Sequence, residues 1–66
     1  MRIREARMNA GLSQERLGQL AGLGQSDISR IENGRQAVTI DAIRRIAQAL
    51  SVPAADLLGV NDNRPA

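Results

Sequence analysis

Apolar residues recur along this chain at three- and four-residue spacing and nowhere alternate over the length of a strand, so the pattern predicts helices throughout. In residues 1–10, Ile3, Ala6 and Ala10 share one face with Arg7, and Gly11 supplies the stop. Ser13 suits the cap of a second helix, where its hydroxyl accepts from a free backbone N–H of the first turn. Arginine at position 16 rules out the reciprocal capping box. Leu17, Leu20 and Ala21 form the inward face of this helix, with Gly18 beside them. A glycine inside a helix costs about 1 kcal/mol relative to alanine, which implies a reason such as close approach by another helix. Gly22, Leu23 and Gly24 then end the helix and turn the chain.

Residues 25–33 (QSDISRIEN) carry only two apolar side chains, Ile28 and Ile31, three apart on one face. Two such anchors hold a helix on a core while its other faces look outward. Asn33-Gly34 ends it, and residues 35–38 read as a loop. Thr39 caps a fourth helix and Asp41 lies favourably in its first turn. Ile40, Ile43, Ile46, Ala47 and Leu50 give the clearest helical stripe in the chain, leaving Arg44 and Arg45 on the solvent side. Pro53 suits the start of a short fifth helix over residues 53–58, which Gly59 ends. Residues 61–66 form a polar tail expected to fray. The reading is all-α: one domain over residues 1–60, built from five short helices.

Composition narrows the chemistry. Sixty-six residues make one small domain, and with no cysteine, histidine or aromatic residue its interior must be built from Leu, Ile, Val, Met and Ala. Without histidine, cysteine, lysine or tyrosine, the groups left for catalysis are serines and scattered carboxylates. No enzyme is expected, no cofactor, and no metal site. No apolar run approaches the roughly 20 residues that span a bilayer, and no signal-peptide core is present, so a soluble cytoplasmic protein is expected. The nine basic residues are all arginine and stand against seven acidic ones, for a net charge of +2. Within residues 24–35 the charges cancel, Asp27 and Glu32 against Arg30 and Arg35. Any nucleic-acid contact there must rest on hydrogen-bonding geometry rather than on a cationic surface.

Gly11-Leu12-Ser13-Gln14, Leu17, Ala21-Gly22, Gln25-Ser26, the string from Ile28 through Gly34 (ISRIENG), Ala47 and Ala49-Leu50 together resemble the Cro and phage-repressor (XRE) type of helix-turn-helix protein. The resemblance runs from about Ile3 to Gly59. It implies a five-helix DNA-binding domain whose third helix lies in the major groove, its N-terminal residues at the base edges, while the preceding helix crosses the backbone. Gln25, Ser26, Ser29 and Arg30 are then the base-contacting candidates. Glutamine suits adenine N6 and N7, serine several bases, and arginine guanine or a phosphate. Asp27 either accepts from cytosine N4 or favours the helix N-terminus, the second being preferred. Gln14 and Arg35 are the phosphate candidates, Gln14 because relatives use that position so. The resemblance also implies an ion pair between Arg7 and Glu32 that orients the third helix. Relatives usually carry alanine where Gly18 stands, serine or threonine at Gly24, and often proline at Val38. Gly18 and Gly24 are therefore expected to loosen the motif.

One motif covering half a site binds weakly, and dimerisation on a pseudo-palindromic operator supplies the missing affinity. A homodimer is expected, with Leu57, Leu58 and Val60 as candidates for its surface and Val38 as an addition. The same surface suits a toxin, which would make the chain an antitoxin or protein-binding adaptor that also binds operator DNA. A chain cut from a longer regulator is the third alternative. Met1, directly before the first helix, favours a complete small repressor or operon controller.

Overall fold

The computed structural model describes residues 2–58. Among them the chain forms α1 (Ile3–Asn9), α2 (Gln14–Ala21), α3 (Gln25–Glu32), α4 (Ile40–Leu50) and α5 (Ala54–Leu58), with no strand. Ser13 Oγ accepts from the Arg16 amide at 3.0 Å, and Thr39 Oγ1 from the Ala42 amide at 3.0 Å, so both hydroxyl caps form where the sequence places them. The first four helices end alike. One residue turns left-handed, and the next amide reaches back five positions: Leu12 to Arg7 (3.1 Å), Leu23 to Gly18 (2.8 Å), Arg35 to Arg30 (2.8 Å) and Val52 to Ala47 (3.0 Å). At Arg7, Gly18 and Ala47 the carbonyl also accepts from the cap residue, so one oxygen holds two amides as the helix closes, and at Arg30 the returning amide pairs a carbonyl that the cap does not reach. Glycine takes the left-handed position in three cases, and Ser51 takes it after α4 at φ 58°, where a β-carbon is crowded.

One core joins all five helices. Ile3 of α1, Leu17 and Ala21 of α2, Ile28 and Ile31 of α3, Ile43, Ile46, Ala47 and Leu50 of α4, and Leu57 of α5 are its buried apolar residues. Helix α4 carries four of them and packs against α1, α2 and α5, while α2 makes its most extensive contact with α3. The helix-turn-helix pair thus rests on α4 through α2.

The apolar pattern misplaces residues at its edges. Leu20 is 46% exposed, because the buried stripe of α2 is Leu17, Gly18 and Ala21, and position 20 points about 100° from its centre. Ile40 opens α4, stands off the stripe and is 63% exposed. Ala10 lies past the last residue of α1 and is exposed. Pro53 precedes α5 instead of opening it.

Leu57, expected on a dimer surface, has no exposure at all. Helix α5 folds back on α4 and spends this side chain on the core of its own chain, and the Leu57 carbonyl accepts from the Arg2 amide at 2.9 Å. Leu58 is 41% exposed, and Val60 lies outside the described residues. Among the described helices none is long and apolar enough to cross a membrane.

Candidate nucleic-acid interface

The turn between α2 and α3 sets how the third helix leaves the body of the protein. A β-carbon at Gly18 would stand 2.6 Å from the Leu23 carbonyl oxygen and 3.4 Å from the Gln25 amide nitrogen, so what approaches Gly18 is the turn and the first residue of α3. The glycine lets the turn fold down onto α2. It closes the motif rather than loosening it, and the alanine common in relatives would need a shifted turn. Gly24, in contrast, has ordinary extended backbone at φ −79°, and a β-carbon there would meet only Asp27 Oδ2, at 3.5 Å.

From this turn α3 runs with Ile28 and Ile31 buried in the core and with Gln25, Ser26 and Arg30 exposed. Gln25, Ser26, Ser29 and Arg30 line one surface hollow, so the four base-contacting candidates do come together. Gln25 and Ser26 are exposed and Ser29 is half-buried. Among the described residues, no hydrogen bond within the chain engages the side chains of these three.

Arg30 is engaged. Its Nε donates to Gln36 Oε1 at 2.8 Å and its Nη2 to Asp27 Oδ1 at 3.2 Å, while Gln36 Nε2 donates to the same Asp27 oxygen at 3.4 Å. Asp27 Oδ2 accepts from the Gly24 amide at 3.3 Å, which puts its charge at the N-terminus of α3. The Gln36 hydrogen bond and the Gly24 amide hold the Asp27 carboxyl below the usual range.

The C-terminal end of α3 is fastened to α1 and α2. The Glu32 side chain has no solvent exposure, and its Oε2 accepts from Arg7 Nε at 2.7 Å. Its Oε1 accepts from Arg7 Nη2 at 3.2 Å, Gln14 Nε2 at 3.1 Å and Arg4 Nε at 3.3 Å. Arg7 Nη1 reaches on to the Leu12 carbonyl at 2.8 Å, tying in the segment before α2. Burial pushes the Glu32 carboxyl up, but the hydrogen bonds from Arg7 and Gln14 outweigh it and hold the group below its ordinary value. The same bond, against desolvation, raises the Arg7 guanidinium further. Every buried polar side-chain atom among the described residues has a partner.

Gln14 therefore sits inside the Glu32 cluster at the start of α2, with one amide proton committed to Glu32. Arg35 is exposed, its backbone pinned by the bond to Arg30, and among the described residues no ion pair engages it. Arg4, Asn33 and Gln36 are the participants that sequence reasoning missed. Arg4 stands one turn before Arg7 on α1 and also donates to Asn33 Oδ1 at 2.9 Å, so the three-residue spacing was a signal for it. Nothing local marks Gln36.

The helix-turn-helix domain family matches residues 1–60 of the chain. An uncharacterised HTH-type transcriptional regulator of Sinorhizobium fredii is 34% identical over 59 residues, which cover 89% of this chain and 77% of that protein.

Proposed function

The chain belongs to the helix-turn-helix domain family, as a DNA-binding regulator of the XRE-like kind, and from that membership we propose how it acts. It is a repressor or small operon controller that reads the major groove of double-stranded DNA with α3, as a homodimer on a pseudo-palindromic operator. The observation that carries this reading is the division of α3. Its C-terminal end is fixed by the buried Glu32, and its N-terminal end offers Gln25, Ser26 and Ser29 to the outside.

Each side chain then has a task set by its chemistry. The Gln25 amide pairs with adenine N6 and N7, the Ser26 and Ser29 hydroxyls donate to or accept from neighbouring base edges, and Arg30 faces a guanine. The second amide proton of Gln14, not needed by Glu32, donates to a phosphate oxygen beside the N-terminus of α2. Arg35 meets a second phosphate. The Arg7–Glu32 pair orients α3 between these contacts. A single copy covers half a site and binds weakly, and a second copy places its α3 about 34 Å away, one helical turn along the same face of the duplex. Leu58, exposed, and Val38, half-buried against the core, are the described candidates for the surface between copies.

Binding-site selection and footprinting, with light scattering on the protein–DNA complex, test the reading. A dimer on a symmetric site is the expected result. A complex without sequence preference, or one copy per site, would overturn it.

A further inference from the structure

The ring formed by Asp27, Arg30 and Gln36 is not explained by stability. Arg30 and Asp27 are an exposed pair one turn apart on α3, an arrangement that contributes little to folding. Gln36 is not on the helix at all. The loop brings it back after the left-handed Gly34 and the Arg35–Arg30 backbone bond, and its side chain then donates to Asp27 and accepts from Arg30. Two side chains, one on α3 and one in the loop after it, thus fix one guanidinium by one edge.

A guanidinium has five N–H groups. Gln36 uses the single Nε proton and Asp27 one of the two on Nη2. Both Nη1 protons and the second Nη2 proton are left, and one from each of these nitrogens lies along the Nη1–Nη2 edge of the planar group. That edge matches the O6 and N7 acceptors of guanine. A free arginine must give up much rotamer freedom on binding, and an arginine already held by its other edge gives up less.

We propose that Gln36 is a positioning residue for base reading: with Asp27 it holds Arg30 so that the Nη1–Nη2 edge meets a guanine in the major groove. The inference rests on the reading of Arg30 as a base contact. The ring also cancels the Asp27 charge against that of Arg30, so Arg30 contributes geometry at one base pair and little general attraction to the duplex.

The test measures affinities of the whole chain for duplexes in which each base pair of the selected site is changed in turn. Wild type, Arg30→Ala, Gln36→Met and the double variant are compared, with thermal unfolding of each. Gln36→Met keeps the stem and removes both polar atoms, and Gln36→Ala is read alongside it in case the longer side chain disturbs the fold. Arg30→Ala should abolish the preference for guanine at one pair. Gln36→Met should weaken that same preference about three- to tenfold, leave the other positions and the salt dependence unchanged because no charge is lost, and add nothing to Arg30→Ala. If Gln36→Met spares the preference, or its loss persists on top of Arg30→Ala, the positioning role is overturned and the Arg30 reading stands. If Arg30→Ala leaves every base preference in place, the Arg30 reading falls and the inference falls with it.

Discussion

The two ends of α3 are built on opposite plans. At the C-terminal end a carboxylate with no exposure collects donors from Arg4, Arg7 and Gln14, so α1, α2 and α3 meet at one charge. At the N-terminal end the side chains of Gln25, Ser26 and Ser29 make no hydrogen bond within the chain among the described residues, and those of Asp27 and Arg30 are held. The side chains of the first end are spent on the fold, and three at the second are left for a partner. A helix must be placed firmly to within a fraction of an ångström before its side chains can distinguish bases, so the fixed end makes the open end useful.

Breaking the fixed end should have the largest effect. Arg7→Ala leaves a buried carboxylate with Gln14 and the half-exposed Arg4, and removal of one partner of such a pair costs about 3–5 kcal/mol. A core this small supplies little more than about 3–5 kcal/mol in all, so the variant should be largely unfolded at room temperature. Urea unfolding followed by circular dichroism reads this directly. A loss under about 1 kcal/mol would show that the pair does not hold the helix.

Acid probes the same end without a mutation. The Glu32 carboxyl titrates lower in the folded chain than in the unfolded one, so the stability it contributes is full above its unfolded value and lost as pH falls through its folded one. Asp27, shifted the same way, adds to this loss. The raised Arg7 value acts in the opposite sense, and its contribution is lost only at alkaline pH far above the working range. Unfolding midpoints should therefore stay level near neutrality and fall below the ordinary carboxylate range, and Glu32→Gln should flatten most of that fall. An equal fall in Glu32→Gln would assign the acid sensitivity elsewhere.

At the open end the order of effects reverses, with little change in stability and much in recognition. Gln25→Ala should alter unfolding by less than about 0.5 kcal/mol and cost about 1–3 kcal/mol of discrimination at one base position. Arg35→Ala is its control, weakening all sequences alike and reducing the slope of log affinity against log salt by about one. A uniform loss from Gln25→Ala would remove it from the base-reading set. Smallest of all, Gly24→Ser supplies a hydroxyl cap where the backbone already has cap geometry and room, for a few tenths of a kcal/mol in stability. If affinity for the operator rises by a similar factor, the open end gains from being stiffened. If affinity drops while stability rises, its freedom is part of how it binds.

What the sequence made legible follows from range. Ser13, Thr39 and the stripe of α4 act within one or two turns of a helix, and local periodicity reports them. The Arg7–Glu32 pair spans three helices in sequence and came through resemblance to a family, not from spacing. Gly18 shows the boundary well. Its cost in a helix said that something must come close, but only the path of the turn shows that the Leu23 carbonyl is what comes. Gln36 lies beyond such reading altogether, because its partners are chosen by how the loop after Gly34 doubles back. Leu20 and Ile40 were misjudged for a simpler reason: a stripe read from spacing has no edge, and a packed helix has a sharp one.

The bond from the Arg2 amide to the Leu57 carbonyl brings the entry and exit of the described fold to a single place. A chain arranged this way can be rewired. A few residues bridging that gap would close it into a ring, and reopening the ring in the loop before α4 would make α4 the first helix and α3 the last. The Glu32 cluster would then be assembled from the last three helices of the chain instead of from its first three. Whether the permuted protein still binds DNA would separate what the cluster owes to the order of synthesis from what it owes to geometry alone.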